Sequence, residues 1–227
     1  MEDELLALFP LNTVLFPGMP LPLHIFEERY KLMIGRCIDE KRPFGVVLIQ
    51  SGPEVGGPCV PHRVGTTAHI AAVRRLDDGR MNLIAIGQER FRVLEWVRQE
   101  PYMVARVEAL VDAASDAEVA TLAAEVRATL VVYLRDLFTL LDQPQEELEI
   151  PSEPGRLSLV AAAVLQIPMG ERQALLQMTD VSARLQQERD WLAIETHKQQ
   201  MLLRMRKRLG AVTPLDSRQR LADLSPN

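Results

Sequence analysis

The chain has 227 residues, 47% of them hydrophobic and 25% charged, and a formal net charge of −5. That is enough apolar material for one large domain or two small ones with a packed core. The acidic balance weighs against a dedicated nucleic-acid binder, which needs a basic surface to neutralise phosphates. No half is basic: residues 1–112 carry 13 basic and 15 acidic side chains, and the remainder 13 and 16. Two cysteines, Cys37 and Cys59, make no disulfide framework at this length. The start Met1-Glu2-Asp3-Glu4 is acidic and the apolar run after it stops at Pro10, which is neither a secretory signal nor a membrane span of roughly 18 apolar residues. A cytoplasmic protein with no membrane segment is expected.

Residues 4–9 and 13–16 read as short strands separated by a turn at Asn12. Pro10, Pro17, Pro20 and Pro22 fix φ and remove backbone donors, so no helix runs through residues 10–22. Residues 19–26 form an extended arm. From Phe26 the period changes: Phe26, Tyr30, Met33, Ile34, Cys37 and Ile38 share one face of a helix. Glu27 and Glu28 in its first turn complement the dipole, Lys41 and Arg42 close it, and Pro43 ends it. Residues 44–49 are continuously apolar, as in a strand buried on both faces. Residues 51–62 are rich in Gly and Pro and read as a loop. Residues 66–76 and 81–86 are β-like around the hairpin turn Asp77-Asp78-Gly79-Arg80. Residues 90–97 and 103–111 alternate, with Pro101 between them; Phe91, Val93 and Glu95 share a face, as do Met103, Ala105, Val107 and Ala109. Six or more short strands with one embedded helix predict a small barrel or folded sheet.

After Asp112 the chain turns helical. Ser115 with Glu118 has the spacing of a capping box, opening a helix that runs to about Leu141. Residues 143–155, with Pro144, Pro151, Pro154 and Gly155, read as a loop. Residues 157–166 form a short, almost wholly apolar helix, and Pro168 opens the next at its favoured first-turn position. Asp180 is the expected N-cap of a long last helix that ends near Gly210. The chain thus divides into a β-rich subdomain (1–112), an α-helical subdomain (113–210) and a flexible tail (211–227).

Between Leu8 and Tyr30 stand Pro10-Leu11, Val14, Phe16-Pro17-Gly18, Pro22-Leu23, Ile25-Phe26-Glu27 and Arg29-Tyr30. This run resembles the opening of the N-terminal domain of Lon proteases. The second half is similar to the helical part of the same region, through Pro154-Gly155-Arg156-Leu157, Leu165-Gln166-Ile167-Pro168, the run from Glu171 to Gln177, Asp180-Val181 and Arg184-Leu185. Met169-Gly170 and Gln177-Met178-Thr179 depart from the family's pattern locally. The resemblance covers about residues 5–205. It implies an α+β fold: an N-terminal PUA-like β pseudobarrel with one embedded helix, then a C-terminal α-helical bundle ending in a long helix. It also implies a protein- or peptide-binding module like the substrate-recognition region of Lon, serving as an adaptor or regulator in protein quality control.

The chemistry that a whole Lon protease needs is not legible here. No Gly-x-x-x-x-Gly-Lys-Ser/Thr run occurs; the Gly-rich residues 52–57 are followed by Pro58, not by a lysine that could reach phosphates. The family's Pro-Lys-Asp-Gly-Pro-Ser-Ala-Gly run is absent. Lys31, Lys41, Lys198 and Lys207 are the only lysines, and none has the context of a serine–lysine dyad. A stand-alone, non-catalytic module without cofactor is expected. Cys59, His62 and His69 make three possible ligands without a fourth, so no metal is expected. Cys37 reads as a small core residue, and His24 as structural.

Binding candidates are apolar. The arm carries Met19, Leu21 and Leu23, which either pack onto the barrel or edge a peptide cleft. The last helix carries Met201 and Met205, and methionine is overused on adaptable binding surfaces. Unfolded or partly unfolded polypeptides, or a partner protein, are the expected ligands. The cluster Arg204-Met205-Arg206-Lys207-Arg208 reads as a solvated, dipole-complementing helix end. The alternative is a PUA-like RNA- or small-molecule-binding protein.

Overall fold

The computed structural model describes residues 4–113, 118–144 and 149–210. Ser115 of the expected capping box and the tail 211–227 lie outside the described residues. The strands come first: β1 (Glu4–Leu11), β2 (Pro20–Ile25), β3 (Phe44–Ser51), β4 (Val60–Arg75), β5 (Met81–Arg98) and β6 (Met103–Ala109), with α1 (Glu28–Glu40) between β2 and β3. Then follow α2 (Glu118–Leu140), α3 (Pro154–Val164), α4 (Met169–Gln177) and α5 (Val181–Gly210). The architecture is α+β.

The sheet runs β2-β5-β4-β3-β1-β6, and β6 pairs again with β5. Five strands therefore close a ring, and β2 lies against the first half of β5 as an edge. β1 and β3 are parallel; the other pairs are antiparallel. Two long strands make this possible. β4 and β5 turn at Asp77-Asp78-Gly79-Arg80, where Gly79 takes φ +80° and the Asp78 carboxylate accepts from the Arg80 N–H at 3.1 Å.

β5 is one strand of 18 residues, where the sequence pattern shows two shorter ones. It passes through Gly87, at which a Cβ would stand 2.3 Å from the Phe16 carbonyl oxygen. Gly18 N–H donates to the Gly87 carbonyl at 2.8 Å, and Gly87 N–H to the Met19 carbonyl at 3.0 Å. That docking explains a second difference. Residues 13–16 form no strand; they cross the sheet and bury Val14, Leu15 and Phe16. The arm expected to follow them forms the strand β2 instead.

Helix α1 buries Tyr30, Met33, Ile34 and Cys37, as its spacing predicts. Phe26 does not share that face. Glu27 is the N-cap, in extended conformation, so Phe26 precedes the helix, stays 46% exposed and stacks on His24 at 6.0 Å between centroids. Pro168 is likewise an N-cap (φ −54°, ψ 147°) and not a first-turn residue; its carbonyl accepts from Glu171 and Arg172. α3 starts earlier than the apolar run, because the Glu153 carboxylate accepts from Gly155 and Arg156 N–H at 2.8 and 2.6 Å with Pro154 in the first turn. Asp180 caps α5 through the Ala183 N–H at 3.0 Å.

Three apolar clusters result. Leu8, Val47, Phe91, Val93 and Val107 fill the ring. Phe9, Met33, Ile34, Phe44 and Leu83 lie between the sheet and α1, with Phe9 stacked on Tyr30 at 4.1 Å. Val14, Phe16, Leu48 and Val64 of the barrel join Leu130, Leu157, Leu175 and Leu185 in a core shared with the helices. The two halves are thus welded by apolar burial before any polar contact is considered.

Candidate polypeptide-binding surfaces

A buried polar clasp fixes the helices on the barrel. Arg90 of β5 donates to the Leu176 and Met178 carbonyls at 2.9 and 2.6 Å and to Asp112 Oδ1. Arg184 of α5, fully buried, donates to Asp112 Oδ2 at 2.9 Å, to the Met178 carbonyl at 2.7 Å and to Ser158 Oγ at 2.6 Å. Ser158 in turn donates to Glu188 Oε1 at 2.7 Å. Burial alone would raise the Asp112 carboxyl; the hydrogen bonds and charges of Arg184 and Arg90 outweigh it and hold it below the usual carboxylate range. Glu188 is the reverse case. Its burial outweighs Ser158 and Arg184 and pushes the carboxyl well up, and its Oε2 has no hydrogen-bond partner among the described residues. Gln173 Nε2 adds a bond to the Val64 carbonyl at 3.0 Å.

This clasp was not legible in sequence. Arg184 belongs to the Arg184-Leu185 pair that carries the family resemblance, but nothing local says that its partner stands 72 residues earlier. Chemically the cluster holds and orients; Ser158 is fully buried between Arg184 and Glu188, with no exposed nucleophile.

The expected binding residues fall in two places. Met19 sits where the barrel meets the bundle, half-buried against both the α1 core and the shared core, with its Sδ 3.8 Å from Arg172 Nη2. The Arg172 guanidinium lies over the Phe16 ring and donates to the Leu165 and Ala163 carbonyls. Leu21 and Leu23 are half-buried on the side of β2 that faces the α1 core. The outer side of β2 shows Pro20, Pro22 and His24. There the register aligns Pro22, Ile84 and Ala72 across three strands. They border a shallow hollow of about 500 Å³, with Leu23, Val73 and Leu83 in its lining. Ile84 is 46% exposed.

The free edge of β2 is poorly suited to adding another strand. In an antiparallel ladder alternate residues turn their N–H toward the neighbour and the others away. Prolines two apart lose donors on one side only. Leu21, Leu23 and Ile25 keep theirs for β5, and on the free side His24 alone has an N–H.

Met201 and Met205 lie far along α5, 46% and 55% exposed. With Ile194 they form a stripe at i, i+7 and i+11. Met205 is about 20 Å along the axis from Leu192, the last α5 residue in the shared core. That end of α5 packs on α2 through polar groups: Arg206 donates to the Thr139 carbonyl at 3.3 Å and pairs with Asp142 at 2.7 Å. The two methionines therefore make a separate surface from Met19, Leu21 and Leu23.

Among the described residues no group of three or more His, Cys, Asp or Glu is placed to hold a metal. No described helix is long and apolar enough to cross a membrane. Cys37 is buried, and burial pushes its thiol up to about 11.

Residues 5–193 match the family model of the ATP-dependent protease La (LON) substrate-binding domain. The chain belongs to the Lon substrate-binding domain family. It is 28% identical over 200 residues to the Lon protease of Syntrophus aciditrophicus, covering 81% of this chain and 24% of that protein. It is 30% identical over 191 residues to the Lon protease of Anaeromyxobacter dehalogenans, covering 81% of this chain and 23% of that protein. The chain thus spans about a quarter of the length of the curated Lon proteases it matches. Among solved structures, a Lon N-terminal domain protein from Xanthomonas campestris is 30% identical and superposes with a TM-score of 0.60, covering 83% of this chain and 98% of that one. The N-terminal domain of Mycobacterium avium complex Lon protease shares the fold at 17% identity, with a TM-score of 0.64 over 84% of this chain and 98% of that one.

Proposed function

We propose that this chain is a non-catalytic polypeptide-binding module that recognises exposed apolar segments of other proteins and acts as an adaptor or regulator in protein quality control. In this reading residues 1–112 form a PUA-like β pseudobarrel that carries the main binding face. Residues 113–210 form the bundle that ends in the long helix α5. The observation that carries the reading is the match of residues 5–193 to a substrate-binding family. The outer face of β2 supports it, because a hollow bordered by Pro22, Ile84 and Val73 offers apolar surface beside a proline-blunted edge. Leu23 also lines that hollow, Leu21 stands two residues before it on β2, Met19 lies where the barrel meets the bundle, and Met201 and Met205 offer a second, adaptable surface.

The test is binding of a fluorescently labelled, permanently unfolded polypeptide, followed by anisotropy. Ile84→Glu places a charge in the hollow without entering the core and should weaken binding about tenfold, since a carboxylate buried unpaired costs at least about 1.4 kcal/mol. The double change Met201→Asp and Met205→Asp reads the contribution of α5 in the same way. Undiminished binding by both variants would remove these two faces from the account. ATP turnover or peptide cleavage by purified protein, abolished by a single substitution in this chain, would overturn the non-catalytic part.

A further inference from the structure

Glu188 stands at the joint between the two halves, and the clasp leaves it without an ion pair. It is 0% exposed and sits on α5 between Leu185 and Leu192 of the shared core. Arg184, one turn away, is the nearest cation in sequence that could neutralise it, but the five N–H groups of a guanidinium are all taken elsewhere. Nε donates to Ser158 Oγ at 2.6 Å. Nη1 donates to Asp112 Oδ1 and to the Met178 carbonyl at 2.8 and 2.7 Å. Nη2 donates to Asp112 Oδ2 and to the Gly155 carbonyl at 2.9 and 3.4 Å. Asp112 thus receives both arms of the fork, the strongest geometry for such a pair.

The other elements around Glu188 bring it no cation. α3 presents Ser158, whose hydroxyl bonds to Oε1 at 2.7 Å. The segment after β6 presents Asp112, a second negative charge, and Arg90 of β5 is bonded to that same carboxylate. The turn after α4 contributes the Met178 carbonyl, already used by Arg90 and Arg184. α2 runs beside α5 at a constant offset of 64 residues, seen at Asp136 with Gln200 and at Asp142 with Arg206, which sets residue 124 level with Glu188. There α2 buries Ala123 and Val126 and leaves Glu125 and Arg127 exposed. An ionised Glu188 would face one hydroxyl, a fully engaged guanidinium and another carboxylate, a costly state for a buried charge. The uncharged acid escapes that cost, in keeping with the upward push that burial gives its carboxyl.

We propose that Glu188 is a proton-operated latch: as the neutral acid it lets α5 seat against α3 and the barrel, and loss of its proton to solvent loosens that seat as pH rises. The device is independent of what the outer surfaces bind, although Met201 and Met205 ride on the same helix.

Trp191 is a built-in reporter, because it lies on α5 one turn after Glu188 and is half-buried against the shared core. Trp96 of β5 is the second tryptophan, so the full chain carries Trp96→Phe as background. Its Trp191 emission and acrylamide quenching are followed from about pH 5 to about pH 9, beside the side-chain carboxyl carbons of a glutamate-labelled sample by NMR. One glutamate carbon should titrate alone, above the range of the others. Over the same span Trp191 should shift to the red and quench more readily. Glu188→Gln, uncharged and of the same shape, should remove both changes and keep the low-pH emission throughout. His197→Gln, which removes the histidine of α5, should leave both in place. Glutamates that all titrate together overturn the proposal in the wild-type sequence at position 188, whether or not the Gln variant folds. A late-titrating glutamate with unmoved Trp191, or a Trp191 transition that persists in Glu188→Gln, overturns the loosening.

Discussion

Asp112 is the residue on which the clasp turns. It is the one carboxylate that both Arg90 and Arg184 share, and Arg184 has no exposure to water. Asp112→Asn should therefore cost about 3 kcal/mol in urea unfolding, because a buried guanidinium is left without its counter-charge. A loss below about 0.5 kcal/mol would mean that the clasp is dispensable and that apolar packing alone joins the halves. The two carboxyls also give opposite pH signatures. Asp112 is depressed, so its contribution is present above the ordinary carboxylate range and lost as pH falls through its folded value. Glu188 is raised, so its contribution is full below the ordinary value and lost as pH rises through its folded one. Glu188→Gln should flatten the decline of stability on the alkaline side, measured as urea midpoints at about pH 5 and pH 8. Midpoints that shift in parallel with wild type at both values would contradict this. On the face of α1, Ile34 is fully buried. Ile34→Ala should cost roughly 2–4 kcal/mol through lost burial and a cavity.

Elements set by local rules were readable in the sequence, and those set by distant partners were not. The period of α1, the Asp-Gly turn and the cap at Asp180 depend on neighbours within a few residues, and each stands where its pattern puts it except for Phe26, which precedes α1. Residues 13–16 have a strand-like composition, but Gly87 draws them into a crossing segment, and Gly87 is 71 residues away from Phe16. The continuity of β5 escapes a local reading for the same reason, since its halves serve different partners. Of the binding candidates, Met201 and Met205 are exposed as an adaptable surface requires, whereas Leu21 and Leu23 turn partly toward α1. Ile84 and Val73 are exposed apolar residues of that region, and Ile84 becomes a neighbour of Pro22 only through the β2–β5 register. The prolines of β2 carry a consequence of their own. Replacing Pro20 and Pro22 together by Val restores two N–H groups to the free edge, and light scattering should then show more concentration-dependent association than wild type. Equal scattering would mean that another feature already blocks that edge.

At the scale of the molecule, a closed barrel and a helical bundle share one apolar core and one polar clasp, so the proposed binding faces sit on one joined frame. The net charge is −5, and neither half of the chain is basic. Burial of apolar surface is not screened by salt, whereas a site that neutralises phosphates loses affinity by roughly one power of salt concentration per phosphate contact. The measurement that bears most directly on the polypeptide-binding account is a parallel titration of the full chain with a labelled unfolded polypeptide and with a single-stranded RNA, at low and at moderate salt. The account predicts saturable polypeptide binding with nearly the same affinity at both salt concentrations, and weak RNA binding. Tight RNA binding that falls steeply with salt, together with no polypeptide binding at about tens of micromolar, a free energy near 6 kcal/mol, would contradict it.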